Sequence, residues 1–123
     1  MDVKPYFFDT YALRELIKGG ENYKGFVDAI IITTIFNLME LHYGLLKDHT
    51  KEIANHYFNY FRKFVILVDD ETIKQANEFR YKYKKLGLSY IDCVGYTFAR
   101  SRNIKFLTGD NAFKGMEGVE FVK

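Results

Sequence analysis

The chain of 123 residues is long enough to bury one hydrophobic core but too short for two cores that fold unaided. A hydrophobic fraction of 48% with 28% charged residues excludes an intrinsically disordered chain. Eighteen basic and sixteen acidic residues leave a formal net charge of +2, so bulk charge does not indicate nucleic-acid binding.

Cysteine content and hydropathy indicate the cellular compartment in which we expect the protein. Cys93 is the only cysteine, so an intramolecular disulfide is excluded. The apolar runs are far shorter than the roughly 20 residues of a membrane helix, and the N-terminus lacks the basic region of a signal peptide. We expect one domain over residues 1–123, located in the cytoplasm.

The first third of the chain predicts two strands separated by a helix. Residues 3–8 are typical of a short strand, and Asp9 follows as a helix N-cap. A helix from about Tyr11 ends at Gly19, which favours a left-handed C-cap. Residues 26–32 are mostly apolar and β-branched, which predicts a strand buried on both faces.

Two helices are predicted next. Thr33 or Thr34 can cap the first of them, which carries Glu40. Apolar residues recur in it at intervals of three and four: Ile35, Leu38, Met39, His42, Leu45 and Leu46. This stripe predicts a core-facing side with Glu40 at its border. A further helix covers about residues 51–63.

Residues 65–68 predict a third buried strand, followed by Asp69 as the N-cap of a helix over residues 71–86. Ser89 or Asp92 can begin another helix, which ends at about residue 102.

Residues 104–108 predict a fourth strand, and residues 119–122 predict a short strand at the sheet edge. Strands that alternate with helices favour right-handed βαβ crossovers. We therefore predict a three-layer α/β/α fold with a mostly parallel sheet of four or five strands.

Four acidic residues fall where such sheets bind ligands, outside the carboxyl ends of the strands. Asp9 ends the first strand, Asp110 follows the strand over residues 104–108, Asp92 lies near a helix start and Glu40 within a helix. Taken singly, these acids suit helix capping, a turn or a helix surface. Taken together, converging carboxylates repel one another unless hard divalent cations compensate them.

The chain resembles the PIN domains, and among them the VapC-like toxins of toxin–antitoxin pairs. The resemblance is carried by four segments: residues 8–10 (FDT), 37–45 (NLMELHYGL), 90–93 (YIDC) and 107–113 (LTGDNAF). It implies a ribonuclease that depends on Mg²⁺ or Mn²⁺. The implied catalytic, metal-binding acids are Asp9, Glu40, Asp92 and Asp110, with the hydroxyl residues Thr10 and Thr108 beside them. The implied partners are an RNA substrate, a small antitoxin-like inhibitory protein and a second copy of the chain.

Two basic segments are candidate RNA contacts. The first interleaves lysines and arginine with tyrosines, which suits phosphate contact and base stacking: Arg80, Lys82, Lys84 and Lys85. The second contains Arg100 and Arg102. A solvated helix face is the alternative interpretation of both.

Three other functions compete for these residues. A haloacid-dehalogenase-type phosphatase needs a second aspartate two positions after Asp9, where this chain has Tyr11. A receiver domain needs a lysine in a loop after its fifth strand, and the last predicted strand stops just before Lys123. The third alternative is a PIN-like module that binds RNA or protein without cutting.

Overall fold

A sheet of four parallel strands forms the centre of the structure, a computed structural model that describes residues 3–123. The strands are β1 (Pro5–Phe8), β2 (Ile30–Ile32), β3 (Lys105–Thr108) and β4 (Val119–Phe121). Their order is β2-β1-β3-β4, so the two central strands come from opposite ends of the chain. The predicted α/β fold with a parallel sheet is confirmed.

In the described part of the chain, five α-helices flank the sheet: α1 (Thr10–Lys18), α2 (Ile35–Asp48), α3 (Lys51–Phe61), α4 (Asp70–Lys82) and α5 (Tyr90–Ser101). Each begins after a side chain that accepts a hydrogen bond from a backbone N–H of its first turn, which satisfies a donor that the helix itself leaves free. These caps are Asp9, Thr34, Thr50, Asp69 and Ser89. Within residues 3–123, none of the helices combines the length and the apolar character that a membrane crossing needs.

Alternation along the central strands divides the core between the two faces of the sheet. Phe7 and Phe106 face α4 and α5, and their rings stack at 5.4 Å. Phe8 and Leu107 face α1, α2 and α3. All four side chains are fully buried, and burial of each contributes roughly 1.5–3 kcal/mol. Both layers of helices are therefore fixed to the same strand pair, at whose carboxyl end Asp9 lies.

The second strand is shorter than predicted. Only Ile30–Ile32 is a strand, whereas Glu21–Phe26 forms a 3₁₀ helix. Phe26 packs edge-to-face on Tyr6 at 5.2 Å, and so it contributes to the core from outside the sheet. Because β2 is an edge strand, Ile30 is half exposed and the predicted burial on both faces is wrong.

Residues 65–68 do not form the predicted strand. Val65 makes one isolated parallel bridge to Thr33, and Ile66 N donates to Thr33 O at 2.9 Å. The pairing stops there because Thr34 caps α2 and the chain enters that helix, so no residue after Thr33 can extend the strand. Leu67 is 95% exposed, which contradicts the predicted buried strand.

The apolar stripe predicted on α2 is rotated relative to the face that is buried. Leu38 and Leu45 lie in the core, as predicted. Ile35, Met39 and Leu46 are exposed. The helix carries two adjacent apolar stripes, and the sheet covers the one that contains the polar and small residues Asn37 and Gly44 together with Leu38, Leu41 and Leu45.

Candidate active site

Two of the predicted acids lie at the carboxyl edge of the central strand pair. Asp9 directly follows β1, and Asp110 lies two residues after the end of β3. The strands pair in parallel with Phe8 opposite Leu107, and Asp9 N donates to Leu107 O at 3.3 Å. Parallel pairing therefore brings these acids, about 100 residues apart in sequence, to the same edge.

Asp9 is the most deeply placed of the acids, with only 5% of the residue exposed. Its Oδ1 accepts a hydrogen bond from Ala12 N at 2.9 Å and caps α1. The pKa of Asp9 is raised to about 7: loss of hydration is the main cause, the Thr108 hydroxyl and Ala12 N–H act against it, and the charges of Asp92 and Asp110 add to it. The fold thus holds this carboxyl where a negative charge is unfavourable without a cation.

Asp92 takes part in a capping box at the start of α5. Ser89 caps the helix, and the two residues exchange hydrogen bonds of 3.0 Å between backbone N–H and side-chain oxygen. Of the two predicted caps, Ser89 is therefore the true one. Burial raises the pKa of Asp92, and the charges of Asp110 and Glu40 act in the same direction.

Thr108 connects Asp9 with Asp110. Its Oγ1 accepts a hydrogen bond from Asp110 N at 3.0 Å, and its hydroxyl lies near enough to the Asp9 carboxyl to lower the pKa of Asp9. Asp110 Oδ1 in turn accepts from Ala112 N at 3.0 Å. The structure thus places Thr108 between two of the acids, where the resemblance expected a hydroxyl residue.

Glu40 approaches this group from α2 and is exposed. Its negative charge contributes to the raised pKa of Asp92, so Glu40 lies within electrostatic range of the start of α5. An exposed carboxylate beside three less exposed ones suits contact with a bound molecule better than support of the core.

The sequence interpretation missed a buried amide that ties Asp9 to the helix of Glu40. Asn37 is 2% exposed, and its Nδ2 donates to Thr10 Oγ1 at 3.2 Å. Its Oδ1 accepts from Thr34 Oγ1 at 2.6 Å. Thr10 follows Asp9 and Asn37 lies three residues before Glu40, so this network fixes α1 against α2 beside both acids. Asn37 belongs to the segment that carries the resemblance, but an asparagine has no sequence signal for burial.

The residues fit a divalent cation by their chemistry and by their lack of counter-charges. Within residues 3–123, no lysine or arginine forms an ion pair with Asp9, Glu40, Asp92 or Asp110. Each aspartate uses one oxygen on a backbone N–H, so one further carboxylate oxygen remains on each. In the same residue range, no three His, Cys, Asp or Glu side chains stand close enough together to hold one ion.

A family model identifies the chain. The model of the PIN domain matches residues 6–119, and these include all four acids. The chain belongs to the PIN domain family. No curated protein matches it significantly in sequence.

Solved structures show the same fold as this PIN domain. VapBC2 from Rickettsia felis, bound to a DNA fragment from its promoter, matches with 21% identity and a TM-score of 0.75, over 97% of this chain and 99% of that one. VapC20 from Mycobacterium tuberculosis, a toxin that cleaves the sarcin-ricin loop, matches with 18% identity and a TM-score of 0.75, over 96% and 99%. A toxin–antitoxin complex from Klebsiella pneumoniae matches with 22% identity and a TM-score of 0.71, over 94% and 95%. The resemblance to VapC-like toxins is confirmed at the level of the fold.

The two basic segments of this PIN domain lie at different distances from the acids. Arg80 Nε donates to Leu88 O at 3.2 Å, so the segment that also contains Lys82, Lys84 and Lys85 adjoins the start of α5 and hence Asp92. Arg100 and Arg102 lie at the other end of α5, about 12–15 Å along its axis from Asp92, and Arg100 pairs with Glu117. The segment that contains Arg80 is therefore the nearer of the two to the acids.

Stability of the metal-free PIN domain is expected to fall as the pH rises from about 4 to 7. Asp9 has a pKa of about 7 in the folded chain against an ordinary 3.8, so between these values the folded state binds the extra proton. The stabilisation is complete below pH 4 and is lost as the pH passes 7, an effect of at most about 4 kcal/mol. Asp9→Asn, which preserves the cap, should remove this loss.

Urea unfolding at pH 5 and pH 8 in metal-free buffer measures this effect. The difference between wild type and Asp9→Asn isolates Asp9 from all other titrating groups. The variant should be the more stable protein at pH 8, with a smaller advantage at pH 5. An identical dependence on pH in the two proteins would contradict the raised pKa of Asp9.

Proposed function

We propose that this PIN domain, spanning residues 1–123 as a single domain, is a ribonuclease that depends on Mg²⁺ or Mn²⁺. It acts as the toxin of a toxin–antitoxin pair. The observation that carries this proposal is the group of four acids without a counter-charge at the carboxyl edge of β1 and β3. The similarity of the fold to VapC20, described as a toxin that cleaves the sarcin-ricin loop, supports RNA as the substrate.

The acids have separable roles in this proposal. Asp9, Asp92 and Asp110 bind the cations through carboxylate oxygens, the ligands that hard divalent ions prefer. Glu40, exposed and next to Asp92, completes the ligand set or orients the attacking water. The bound ions supply an activated water and stabilise the leaving oxygen in the hydrolysis of a phosphodiester bond.

The residues around the acids hold them in place. Thr108 orients Asp9 and the backbone of Asp110 together. Thr10 acts through Asn37, which fixes the entry of α1 against α2. These contacts restrict the carboxylates before the ions bind, which reduces the cost of forming the complete site.

A PIN-like module that binds RNA or protein without cutting is the second candidate. The observation that favours it is the spacing of the acids, because within the described part of the chain no three of them reach one common ion position. Metal-dependent cleavage of RNA decides between the two functions. A catalytic site would need the ions in order to cut, whereas a binding module would bind RNA or protein without them.

Metal removal tests the proposed chemistry directly. Purified protein with Mg²⁺ or Mn²⁺ is expected to cut single-stranded RNA, and EDTA should stop the reaction because no side chain replaces the activated water. Activity should return when excess Mn²⁺ is added back. Full activity in EDTA would exclude the metal-dependent mechanism, and stoichiometric Mn²⁺ binding without cleavage of any RNA would favour the binding module.

A small antitoxin-like protein and a second copy of the chain are the proposed partners. Apolar side chains exposed on α2 and α3 suit such contacts, among them Met39, Tyr43 and Tyr60. Two of the structures with the same fold are toxin–antitoxin complexes. An arginine of the inhibitor, placed at the acids, would pair with the carboxylates and displace the cations.

A further inference from the structure

A cavity of about 180 Å³ lies between α4, α5 and the first turn of α2. Its walls are mainly apolar and include Phe36, Ile73, Asn77, Tyr90, Ile91 and Val94. A closed apolar cavity of about 150 Å³ holds a benzene ring. The volume is therefore sufficient for one ring system.

The cavity adjoins the acids on two sides. Tyr90 and Ile91 directly precede Asp92 on α5. Phe36 lies one helical turn before Glu40, on the same side of α2. A nucleotide whose phosphate lies at the acids therefore has a neighbouring base within reach of the cavity.

Tyr90 is held from outside the cavity. Tyr90 is 64% exposed, and the guanidinium of Arg80 lies 4.0 Å from the centre of the Tyr90 ring. Arg80 is itself anchored, because its Nε donates to Leu88 O at 3.2 Å. Arg80 does not line this cavity but a second one, which lies between α4 and the start of α5. An exposed aromatic ring held beside an apolar cavity suits the stacking of an unpaired base.

We propose that this cavity binds one unpaired base of single-stranded RNA, with the base stacked on Tyr90. The proposal rests on the proposed ribonuclease function and adds a base-binding subsite to it. The charge of the surroundings favours a nucleic acid over an apolar side chain of a protein, since Lys82, Lys84 and Lys85 follow Arg80 and can contact phosphates.

RNA binding by variants of Tyr90, compared between two probes, tests the subsite. Binding is measured on the Asp9→Asn chain, which leaves RNA uncut, with two probes: an oligouridylate, and a ribose-phosphate oligomer of the same length without bases. Tyr90→Ala should weaken oligouridylate binding about ten-fold, the effect of losing one stacked base. It should leave the affinity for the base-free oligomer unchanged. Tyr90→Phe, which keeps the ring, should bind as the parent does.

Two further variants control the measurement. Tyr60 is an exposed tyrosine on α3 that belongs neither to the cavity nor to the basic segment, so Tyr60→Ala should change either affinity by less than about two-fold. Val94→Phe fills the cavity while Tyr90 stays, and it should weaken oligouridylate binding as strongly as Tyr90→Ala does. Equal losses on both probes for Tyr90→Ala, or unchanged oligouridylate binding by Val94→Phe, would overturn the subsite.

The outcomes separate this proposal from the ribonuclease proposal. Base-dependent binding without cleavage by the wild-type chain would leave the subsite standing and reject the ribonuclease. Metal-dependent cleavage with no base-dependent effect at Tyr90 would reject the subsite alone. Absence of RNA binding by all these chains would reject both.

Discussion

Asp92→Asn is expected to lower RNA cleavage by at least about 100-fold while the chain remains folded. Even residues outside the ligand set of a metal cost roughly 10–100-fold when they are replaced, and Asp92 is proposed as a direct ligand. The amide keeps an oxygen that can accept from Ser89 N, so the capping box survives. Removal of one charge from a repelling group should also preserve or raise the stability of the metal-free protein.

Asp69→Asn is the matched control for this experiment. Asp69 also lies at a helix start, where its Oδ1 accepts from Thr72 N at 2.8 Å, but it is not part of the acid group. Cleavage rates and thermal unfolding are measured for both variants with Mn²⁺ and without metal. Similar rates for the two variants would remove Asp92 from the site, and a large loss of stability in Asp92→Asn alone would make it a structural residue.

Gly109→Ala is expected to destabilise the fold by about 3 kcal/mol. A Cβ at this position would overlap the ring of Tyr11 and would lie 2.5 Å from the backbone oxygen of Val122. That oxygen cannot move freely, because it accepts a hydrogen bond of 2.7 Å from the Tyr23 hydroxyl. Since Gly109 joins Thr108 to Asp110, relief of the overlap must displace the turn that carries Asp110.

Gly25→Ala provides the comparison, because a Cβ at Gly25 meets no atom within 4 Å. Urea unfolding of both variants gives the free energies of unfolding. Gly25→Ala should remain within about 0.5 kcal/mol of wild type. If Gly109→Ala is as stable as Gly25→Ala, the close packing at the Asp110 turn is wrong.

The sequence predicts most of the fold where a local physical signal exists. The helix starts at Asp9 and Asp69 and the helix end at Gly19 follow from hydrogen bonding and from the left-handed backbone that glycine permits. The position of Asp9 and Asp110 follows from the parallel topology alone. These features need no knowledge of side-chain packing.

Features that depend on tertiary packing could not be predicted from the sequence. Residues 26–32 and 65–68 are short apolar runs, and such runs do not distinguish a strand from a segment that packs over its edge. On α2, two adjacent apolar stripes are present, and hydropathy alone does not tell which of them is buried in the core. The role of Asn37 requires Thr10 and Thr34 to be close in space.

Pairing of the first and third strands also dictates when activity can arise during protein synthesis. Tyr6 pairs opposite Lys105, and β4 is added only beyond β3. A growing chain on the ribosome that ends before residue 105 has only β1 and β2 of the sheet and lacks β3, the second partner of β1. Such a chain cannot bring Asp9 and Asp110 together, so the ribosome that makes a ribonuclease of this fold holds an inert polypeptide until synthesis is nearly complete.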